Sequence, residues 1–550
     1  METEFSKRVR ERARAINKYA GLEQAVAAGA LPKQFETSLS EGLVLGLLKQ
    51  GVSKYLAIFG HGSTDLGEVL RIYEEEGVTR TWNFRNEVSM AHAATALAWQ
   101  YGESSAVITS IGPGGLQAMA GSLAAASNGV GVYHIYGDET THGEGYNMQQ
   151  IPKPQQHLYG QLTAIMGESY VMHTPESLRD MLRRGTARVH HPTNAGPFYI
   201  LLPLNTQPEQ LHLNLGALPE RLSMSPLVAA SESVFERAAQ SIRNHRRIAF
   251  KVGGGGRGHA TAVRRLAERC GAVVVLSPGS TGVLPDAHPQ NMHVGGSKGS
   301  ISGNYALAEA DLVIVIGSRG VCQADCSGIG FEKAEAVINI NANLTDVTHY
   351  TKTVSLQGDI GQTIERLLQV LGELALNDRQ SWLQECAARK AEWQSFKQQR
   401  YATPPLQDIA FQRPLLTQPA AIKIVADFAK AIGAVKLFDA GDVQANGFQI
   451  VEDDAPGQSY TESGASYMGF AVSALAAGGL AEDPVYAIAF SGDGSFMMNP
   501  QILLDGVEHG ARGMIALFDN RRMAAISGLQ LAQYGEDFRT NDSVAVDYVR

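Results

Sequence analysis

The residues best suited to chemistry lie late in the chain, in a Gly-Asp-Gly turn and in an asparagine downstream of it. Residues 491–496 follow an apolar, strand-like run, and Asp519 and Asn520 end a second such run. Open α/β sheets bind ligands at the carboxyl ends of their strands, so this spacing brings the polar groups to one edge. A carboxylate, an amide oxygen and small glycines suit an octahedral Mg²⁺ that also takes phosphate oxygens. The pattern predicts a metal–diphosphate site, and the alternative is an ordinary Asp-Gly turn.

Three side chains in the first part of the chain are candidates for action on a ligand. Glu87 follows a strand-like run and precedes an Ala-rich helical stretch, where a general acid–base at a strand end would lie. The alternative for Glu87 is an acidic residue that stabilises a helix N-terminus. His61 lies between two glycines at another strand end, with an ordinary loop histidine as the alternative. His92 lies within the helical stretch, which favours packing in the core.

Apolar strand-like runs alternate with helical stretches along most of the chain. Such alternation is typical of parallel, doubly wound sheets, so the predicted fold class is α/β with three such domains. An irregular stretch containing Pro and Leu, near residues 205–230, indicates a linker between the first two domains. The predicted division is a polar, peripheral, helical N-terminal extension at 1–40, a first domain at 41–205, a middle domain at 231–370, a linker at 371–415 and a third domain at 416–550.

The composition argues against several classes of function. A formal net charge of −9 over 550 residues disfavours nucleic acid or an anionic membrane as the main partner. No apolar run reaches the roughly 18 residues of a membrane span. Residues 1–20 lack the apolar core of a signal peptide, so we expect a cytoplasmic protein. Cys322 and Cys326 have no matching second pair, which favours free thiols over a metal site.

The glycine run at residues 253–258 is similar to a nucleotide-binding loop. It does not fit the Gly-x-Gly-x-x-Gly spacing at a helix start, and no ribose-binding acid follows at the expected distance. These departures disfavour NAD. FAD in the middle domain stays open as an alternative that the residues do not favour, and an oxidoreductase built on these glycines ranks last.

Taken together, these motifs resemble the thiamine-diphosphate enzymes of the acetolactate synthase type, from about residue 41 to residue 545. The resemblance implies a pyrimidine-binding domain, a non-catalytic middle domain and a diphosphate-binding domain, in that order. Within this superfamily the chain is most similar to the trihydroxycyclohexane-1,2-dione hydrolases, which open a ring. The stretches that carry the similarity are residues 57–62 (AIFGHG), 85–87 (RNE), 90–94 (MAHAA), 109–114 (TSIGPG), 492–499 (GDGSFMMN), 519–521 (DNR) and 526–530 (ISGLQ).

The resemblance implies a role for each matching residue of the first domain. Glu87 would hydrogen-bond the aminopyrimidine ring and favour the tautomer that removes the thiazolium C2 proton. His61 and Gln149 would lie near the substrate, where His61 would shuttle protons. The substrate would be a small molecule with a carbonyl group.

In the third domain, the resemblance implies that Asp493 and Asn520 bind Mg²⁺ through their side chains and Arg522 through its backbone carbonyl. Met468 would bend the cofactor so that its amine reaches C2, although a core methionine is the alternative. The residues that would bind the cofactor are Gln444, Ser466, Met468, Gly492, Gly494 and Ser495.

The resemblance leaves the reaction open. Ring opening of a cyclic 1,2-dione by hydrolysis is the first hypothesis; a decarboxylating carboligase acting on 2-keto acids and a non-catalytic cofactor-binding homologue are the alternatives. The stretch 527–530 lacks the aromatic residue of acetolactate synthases, which disfavours the carboligase. Glu87 and Asp493 would meet across a subunit interface, in a homodimer or homotetramer. The third domain is expected to be short at its C-terminus, and Arg521 and Arg522 to reshape the substrate end of the pocket.

Overall fold

The computed structural model describes residues 4–142, 149–150, 157–229, 231–320, 331–408, 410–540 and 544–549. The strands are β1 (Gln34–Ser38), β2 (Lys54–Ile58), β3 (Arg80–Asn83), β4 (Ser105–Thr109), β5 (Val132–Asp138), β6 (Glu168–Val171), β7 (Pro197–Pro203), β8 (Gln210–Asn214), β9 (Ile248–Val252), β10 (Val273–Leu276), β11 (Asn291–Val294), β12 (Leu312–Ile316), β13 (Ala336–Asn341), β14 (Thr353–Gln357), β15 (Leu406–Gln407), β16 (Pro414–Leu415), β17 (Val435–Phe438), β18 (Ser459–Thr461), β19 (Ala487–Gly492) and β20 (Gly513–Phe518).

The helices separate most of these strands, as a doubly wound fold requires. They are α1 (Glu4–Lys18), α2 (Leu22–Ala27), α3 (Leu39–Lys49), α4 (Thr64–Glu75), α5 (Glu87–Tyr101), α6 (Pro113–Gly121), α7 (Leu123–Asn128), α8 (Leu158–Met166), α9 (Leu178–Val189), α10 (Glu232–Asn244), α11 (Ala260–Cys270), α12 (Ile301–Glu309), α13 (Leu344–Val347), α14 (Ile360–Leu371), α15 (Gln380–Tyr401), α16 (Gln418–Ala431), α17 (Asp442–Ile450), α18 (Phe470–Ala474), α19 (Ala477–Leu480), α20 (Asp493–Phe496), α21 (Ile502–Glu508) and α22 (Ala524–Tyr534). No helix in the described ranges combines the length and the apolar character needed to cross a bilayer.

The chain divides into two compact units. The first comprises Met1–Met224, Val472–Pro484 and Asn499–Arg512, and the second comprises the rest. The first unit contains a six-stranded parallel sheet of order β3-β2-β4-β5-β7-β6. Central strands of this sheet are buried on both faces, which explains why they appear in the sequence as continuous apolar runs.

The structure differs in two respects from the polar, peripheral, helical extension predicted for residues 1–40. Val9, Ala13 and Ile16 of α1 are buried in the core of the first unit, on one face of the helix. Strand β1 lies within this extension and pairs antiparallel with β8. Because β8 lies in the predicted linker at 205–230, part of that linker is ordered sheet. In β8, polar and apolar residues alternate (Gln-Leu-His-Leu-Asn), and this alternation was the sequence signal for the strand.

The second unit contains a six-stranded parallel sheet of order β11-β10-β9-β12-β13-β14. This strand order, which reverses between β9 and β12, is that of dinucleotide-binding folds. The glycine run begins directly after β9, at that point of reversal. Here the N–H of Gly253 donates to the carbonyl of Ile316 (2.9 Å) and the N–H of Gly255 to the carbonyl of Gly317 (3.0 Å). These amides therefore bond to the end of β12.

A second sheet of the second unit, of order β18-β17-β19-β20, is parallel throughout. Phe438 ends β17 and pairs with Phe490 of β19, and their rings stack with centroids 4.5 Å apart. Phe518, the last residue of β20, continues the stack at 6.2 Å from Phe490. Aromatic pairs of this kind hold adjacent strands in register. The carboxyl ends of β17, β19 and β20 consequently lie side by side.

The first prediction concerns the glycine run. A methyl group on Gly253 would overlap the Gly317 carbonyl oxygen, whereas one on Gly258 would meet no atom of the described residues within 4 Å. We expect Gly253→Ala to lower the stability of the second unit by about 1–3 kcal/mol through overpacking. The matched variant Gly258→Ala should leave the thermal unfolding midpoint, followed by circular dichroism, unchanged or slightly raised. Equal midpoints for the two variants would contradict the packing role.

A second prediction concerns Asp138, which ends the buried strand β5. Its side chain is 1% exposed, and within the described ranges its Oδ2 has no hydrogen-bond partner. Burial raises the pKa of Asp138 to about 7. As pH rises from about 4 to about 7, the unfolded chain has lost this proton while the folded chain still holds it, so stability falls across that window.

We expect Asp138→Asn to remove this pH dependence and to stabilise the protein above about pH 7, by at most about 4 kcal/mol. Asparagine retains the oxygen that accepts from the Glu139 N–H at 2.9 Å. Unfolding midpoints at about pH 8 and about pH 5 measure the effect, which should shrink at the lower value. Asp180→Asn, at an exposed position of the same unit, is the control. A destabilised Asp138→Asn at the higher pH would contradict the prediction.

Candidate active site

Asp493 lies where β19 ends and the short helix α20 begins, as the Gly-Asp-Gly pattern indicated. Its side chain is 7% exposed. Burial raises the pKa of Asp493, the nearby charge of Asp519 raises it further, and backbone N–H groups, among them that of Arg521, partly offset both effects. Two carboxylates held this close repel one another, and a divalent cation would relieve that repulsion.

Asn520 lies in a tight turn directly after β20. The N–H of Arg522 donates to Asn520 Oδ1 (3.0 Å), the N–H of Arg521 donates to Asp519 Oδ1 (3.2 Å), and Arg521 has a left-handed φ of 50°. The turn follows Phe518, which pairs with Gly492, and it places the Asp519 carboxylate close to Asp493. Among the described residues, no group of three or more His, Cys, Asp or Glu side chains forms a metal site. A mixed set of carboxylate, amide and carbonyl oxygens suits Mg²⁺.

Gly492 and Gly494 flank Asp493 and border open space. A methyl group on Gly492 would find its nearest atom, in Val443, 4.0 Å away, and one on Gly494 would lie 3.5 Å from Met468 Cε. Gly492 has a φ of −73°, so its backbone conformation does not require glycine. Close packing therefore does not require glycine at position 492 or at position 494. The space that their missing side chains leave beside Asp493 suits a diphosphate that approaches the backbone closely.

The other predicted cofactor residues lie in the same unit. Met468 extends to Gly494, and Ser495 is buried in α20. Ser466 has a left-handed φ of 53°. Gln444 donates through Nε2 to Thr461 Oγ1 (2.6 Å) and to the carbonyl of Glu462 (3.3 Å). The amide donors of Gln444 are thus bonded to the end of β18.

Two buried carboxylates of this site escaped the sequence reasoning. Asp439 follows β17 and is fully buried, and Glu462 follows β18 and is 1% exposed. Burial raises the pKa of Asp439 to about 6, although a hydroxyl and several backbone N–H groups donate to it and lower the value. Asp439 directly follows the largely apolar strand β17, and that position was the available signal for it. Glu462 follows β18, which is Ser-Tyr-Thr and gives no such signal.

Glu87 is the first residue of α5, in the first unit. The side chain of Asn86 accepts a hydrogen bond from the N–H of Ser89 (3.0 Å) and caps the helix. Glu87 is partly buried against α6, where a methyl group on Gly114 would lie 3.2 Å from Glu87 Oε1. Burial raises the pKa of Glu87. A carboxyl that keeps its proton more readily than usual suits proton exchange with a ligand.

His61 is exposed at the end of β2, between two glycines. Gly62 has a φ of 92°, and a methyl group on it would lie 2.5 Å from the side chain of Ile111. This glycine is therefore explained by the backbone, whereas the histidine beside it is left facing solvent. His92 is fully buried in α5 and burial lowers its pKa to about 3, in agreement with the packing interpretation.

Gln149 is exposed in a turn. Next to it, Gln150 has a left-handed φ of 75°, and its carbonyl accepts a hydrogen bond from the Tyr159 hydroxyl. The two cysteines of the sequence argument, Cys322 and Cys326, lie outside the described residues.

Comparison with known proteins gives matches along most of the chain. Residues 37–158 match the N-terminal TPP binding domain of thiamine pyrophosphate enzymes, 235–367 match their central domain, and 439–550 match their C-terminal TPP binding domain. A 3D-(3,5/4)-trihydroxycyclohexane-1,2-dione hydrolase of Lacticaseibacillus casei is 25% identical over 90% of this chain and 81% of its own length. The protein of the same description in Bacillus subtilis is 24% identical, over 91% and 82%.

A probable acetolactate synthase large subunit of Methanocaldococcus jannaschii is 24% identical over 82% of this chain and 76% of its own length. The three matched domains and the three parallel sheets confirm the predicted α/β class with its three doubly wound domains. The chain belongs to the thiamine pyrophosphate enzymes.

Proposed function

We propose that this enzyme uses thiamine diphosphate and Mg²⁺ to break a C–C bond next to a carbonyl, and that it opens a cyclic 1,2-dione by hydrolysis. The observation that supports the cofactor site is the open space beside Gly492 and Gly494, next to the paired carboxylates of Asp493 and Asp519. The similarity to dione hydrolases over about nine-tenths of the chain supports the substrate class.

In this proposal, Asp493 and Asn520 bind the metal through side-chain oxygens and Arg522 through its carbonyl, while Gly492, Gly494 and Ser495 lie against the diphosphate. Met468, which extends to Gly494, packs against the cofactor, and Ser466 and Gln444 border it. The orientation of Gln444 makes it a support for the end of β18, since its amide donors are already bonded there. When bound, the cofactor supplies a nucleophilic carbon that attacks a carbonyl.

Glu87 holds the proton that is exchanged with the aminopyrimidine ring, and its partial burial keeps that proton bound at higher pH than for an exposed glutamate. His61, exposed at the end of β2, carries protons to and from the substrate, and Gln149 hydrogen-bonds the substrate carbonyl. Hydrolysis of the bond between two carbonyl carbons adds OH to one carbon and H to the other, which leaves an acid and an aldehyde. We also propose a homodimer or homotetramer in which Glu87 and Asp493 of different subunits complete each site.

A decarboxylating carboligase is the second candidate, because the chain is also similar to an acetolactate synthase large subunit. The two candidates differ in their products. We expect the purified protein, given thiamine diphosphate and Mg²⁺, to turn a cyclic polyhydroxylated 1,2-dione into a ring-opened acid detected by mass spectrometry. Omission of either the cofactor or the metal should abolish this turnover. Release of CO₂ from pyruvate with formation of acetoin or acetolactate, at a comparable rate, would refute the dione proposal and support the carboligase.

Glu87→Gln tests the proton role. Glutamine keeps the size of the side chain but cannot exchange a proton, so turnover should fall by about 100-fold or more while thiamine diphosphate still binds. Isothermal titration measures the binding and exchange of the cofactor C2 proton measures the activation. Glu168→Gln, at an exposed position in β6, is the control and should behave as the wild type. Full turnover in Glu87→Gln would refute the role, and a wild-type protein without C2 exchange would support the non-catalytic alternative.

A further inference from the structure

The loop that carries Ser466 and Met468 is held by carboxylates at alternate residues. The N–H of Ala465 donates to Glu462 Oε1 (2.8 Å), and the N–H of Tyr467 donates to Glu462 Oε2 (2.8 Å). Two residues on, the N–H of Gly469 donates to Asp439 Oδ1 (2.9 Å). The backbone on either side of each proposed cofactor residue is thus bonded to a buried acid.

Asp439 also bonds to the strand that leads into the Gly-Asp-Gly turn. Its Oδ2 accepts from the hydroxyl of Ser491 (2.8 Å), which directly precedes Gly492, and its own N–H donates to the carbonyl of Phe490 (2.9 Å). Oδ1 of Asp439 therefore accepts from the loop that carries Met468, and Oδ2 accepts from Ser491, directly before the Gly-Asp-Gly turn. Hydrogen bonds to an ionised acceptor are about twice as strong as neutral ones, so the connection is a firm one.

The two segments that Asp439 joins also lie close together. Met468 Cε lies 3.5 Å from the position of a methyl group on Gly494. A shift of the loop at Gly469 would move Met468 relative to the turn that holds Asp493. Because reacting groups must be placed to within a fraction of an ångström, such a shift would cost far more in activation than in affinity.

We propose that Asp439 is a positioning residue that sets the distance between the Met468 loop and the Gly-Asp-Gly turn, and so places the reactive end of the cofactor relative to its diphosphate. The inference rests on the proposed function, because it takes Met468 and Asp493 as cofactor-binding residues. It assigns no contact between Asp439 and the cofactor. Glu462 holds the loop internally, whereas Asp439 connects it to the strand β19.

The first arm of the test needs no cofactor. In Asp439→Ala the N–H of Gly469 loses its acceptor, so amide hydrogen exchange in peptides spanning residues 463–471 should accelerate by about tenfold in the full-length protein. Asp439→Asn keeps an oxygen for the Gly469 N–H and an amide that can donate to Ser491, so its exchange should stay within about threefold of the wild type. Asp454→Asn, at an exposed acid of the same unit, should leave exchange in these peptides unchanged.

The second arm separates affinity from activation. With thiamine diphosphate and Mg²⁺ at saturation, Asp439→Ala should lower the rate of C2-proton exchange by about 100-fold. Its Kd for thiamine diphosphate should rise by no more than about tenfold, because the metal ligands are untouched. Asp439→Asn should restore most of the C2 exchange. Ser491→Ala removes the hydroxyl that donates to Asp439 Oδ2 and leaves the bond from the Gly469 N–H in place. It should lower C2 exchange by about tenfold without accelerating amide exchange in the loop. This variant tests the proposal if Asp439→Ala does not fold.

Three results would overturn the proposal. The first is C2 exchange within about twofold of the wild type in Asp439→Ala or Ser491→Ala. The second is an Asp439→Ala variant that loses affinity and C2 exchange in proportion and also has a lower unfolding midpoint. The third is an Asp439→Asn variant that is as defective as Asp439→Ala. A wild-type protein that does not bind thiamine diphosphate would refute the proposed function instead. In that case the amide-exchange arm would still decide whether Asp439 holds the loop.

Discussion

The parallel pairing of β17, β19 and β20 is the constraint on which the diphosphate half of the site depends. Parallel strands end at the same edge of a sheet, so residues far apart in the sequence become neighbours there. Stacked Phe438, Phe490 and Phe518 hold these three strands side by side. The residues that follow these strands, Asp439, Asp493 and Asn520, therefore lie at the same edge of the sheet. The parallel direction of the strands is thus what brings these polar residues to one edge of the sheet.

Much of the fold was predictable because strands buried on both faces appear as uninterrupted apolar runs. Strand β12 is such a run, Leu-Val-Ile-Val-Ile, whereas β1, β8 and β18 contain polar residues and were not recognised. Strands β1 and β8 are only half buried and mix polar with apolar residues, and β18 is Ser-Tyr-Thr, so none of the three contains such a run. Glu87 and Asp493 were identifiable by motif. The bonding of Asp439 was not, since it depends on Ser491 and Gly469, which only folding brings to it.

Glycine illustrates the limit of motif reasoning, because the same residue type serves opposite ends in this chain. Gly253 and Gly255 let two backbone segments of the middle sheet touch, and their N–H groups are bonded to the end of β12. At Gly492 and Gly494, a methyl group would meet atoms of the described residues only at 3.5–4.0 Å, so both border open space. In the sequence alone, the glycine run at 253–258 and the Gly-Asp-Gly turn both resemble ligand-binding loops. Only the neighbours of the absent side chain separate a packing glycine from one that leaves room for a ligand.

The alternating bonds of the 462–469 loop have a consequence for how the enzyme diversifies. Glu462 and Asp439 take the place that a neighbouring strand would have in a sheet, and they hold the loop through its backbone N–H groups. The path of the loop is therefore held through its backbone and does not depend on the side chain of Met468. A different side chain at position 468 would change the shape of the space above the Gly-Asp-Gly turn while the backbone that presents it stays the same, whereas the left-handed φ of Ser466 restricts which residues can replace it.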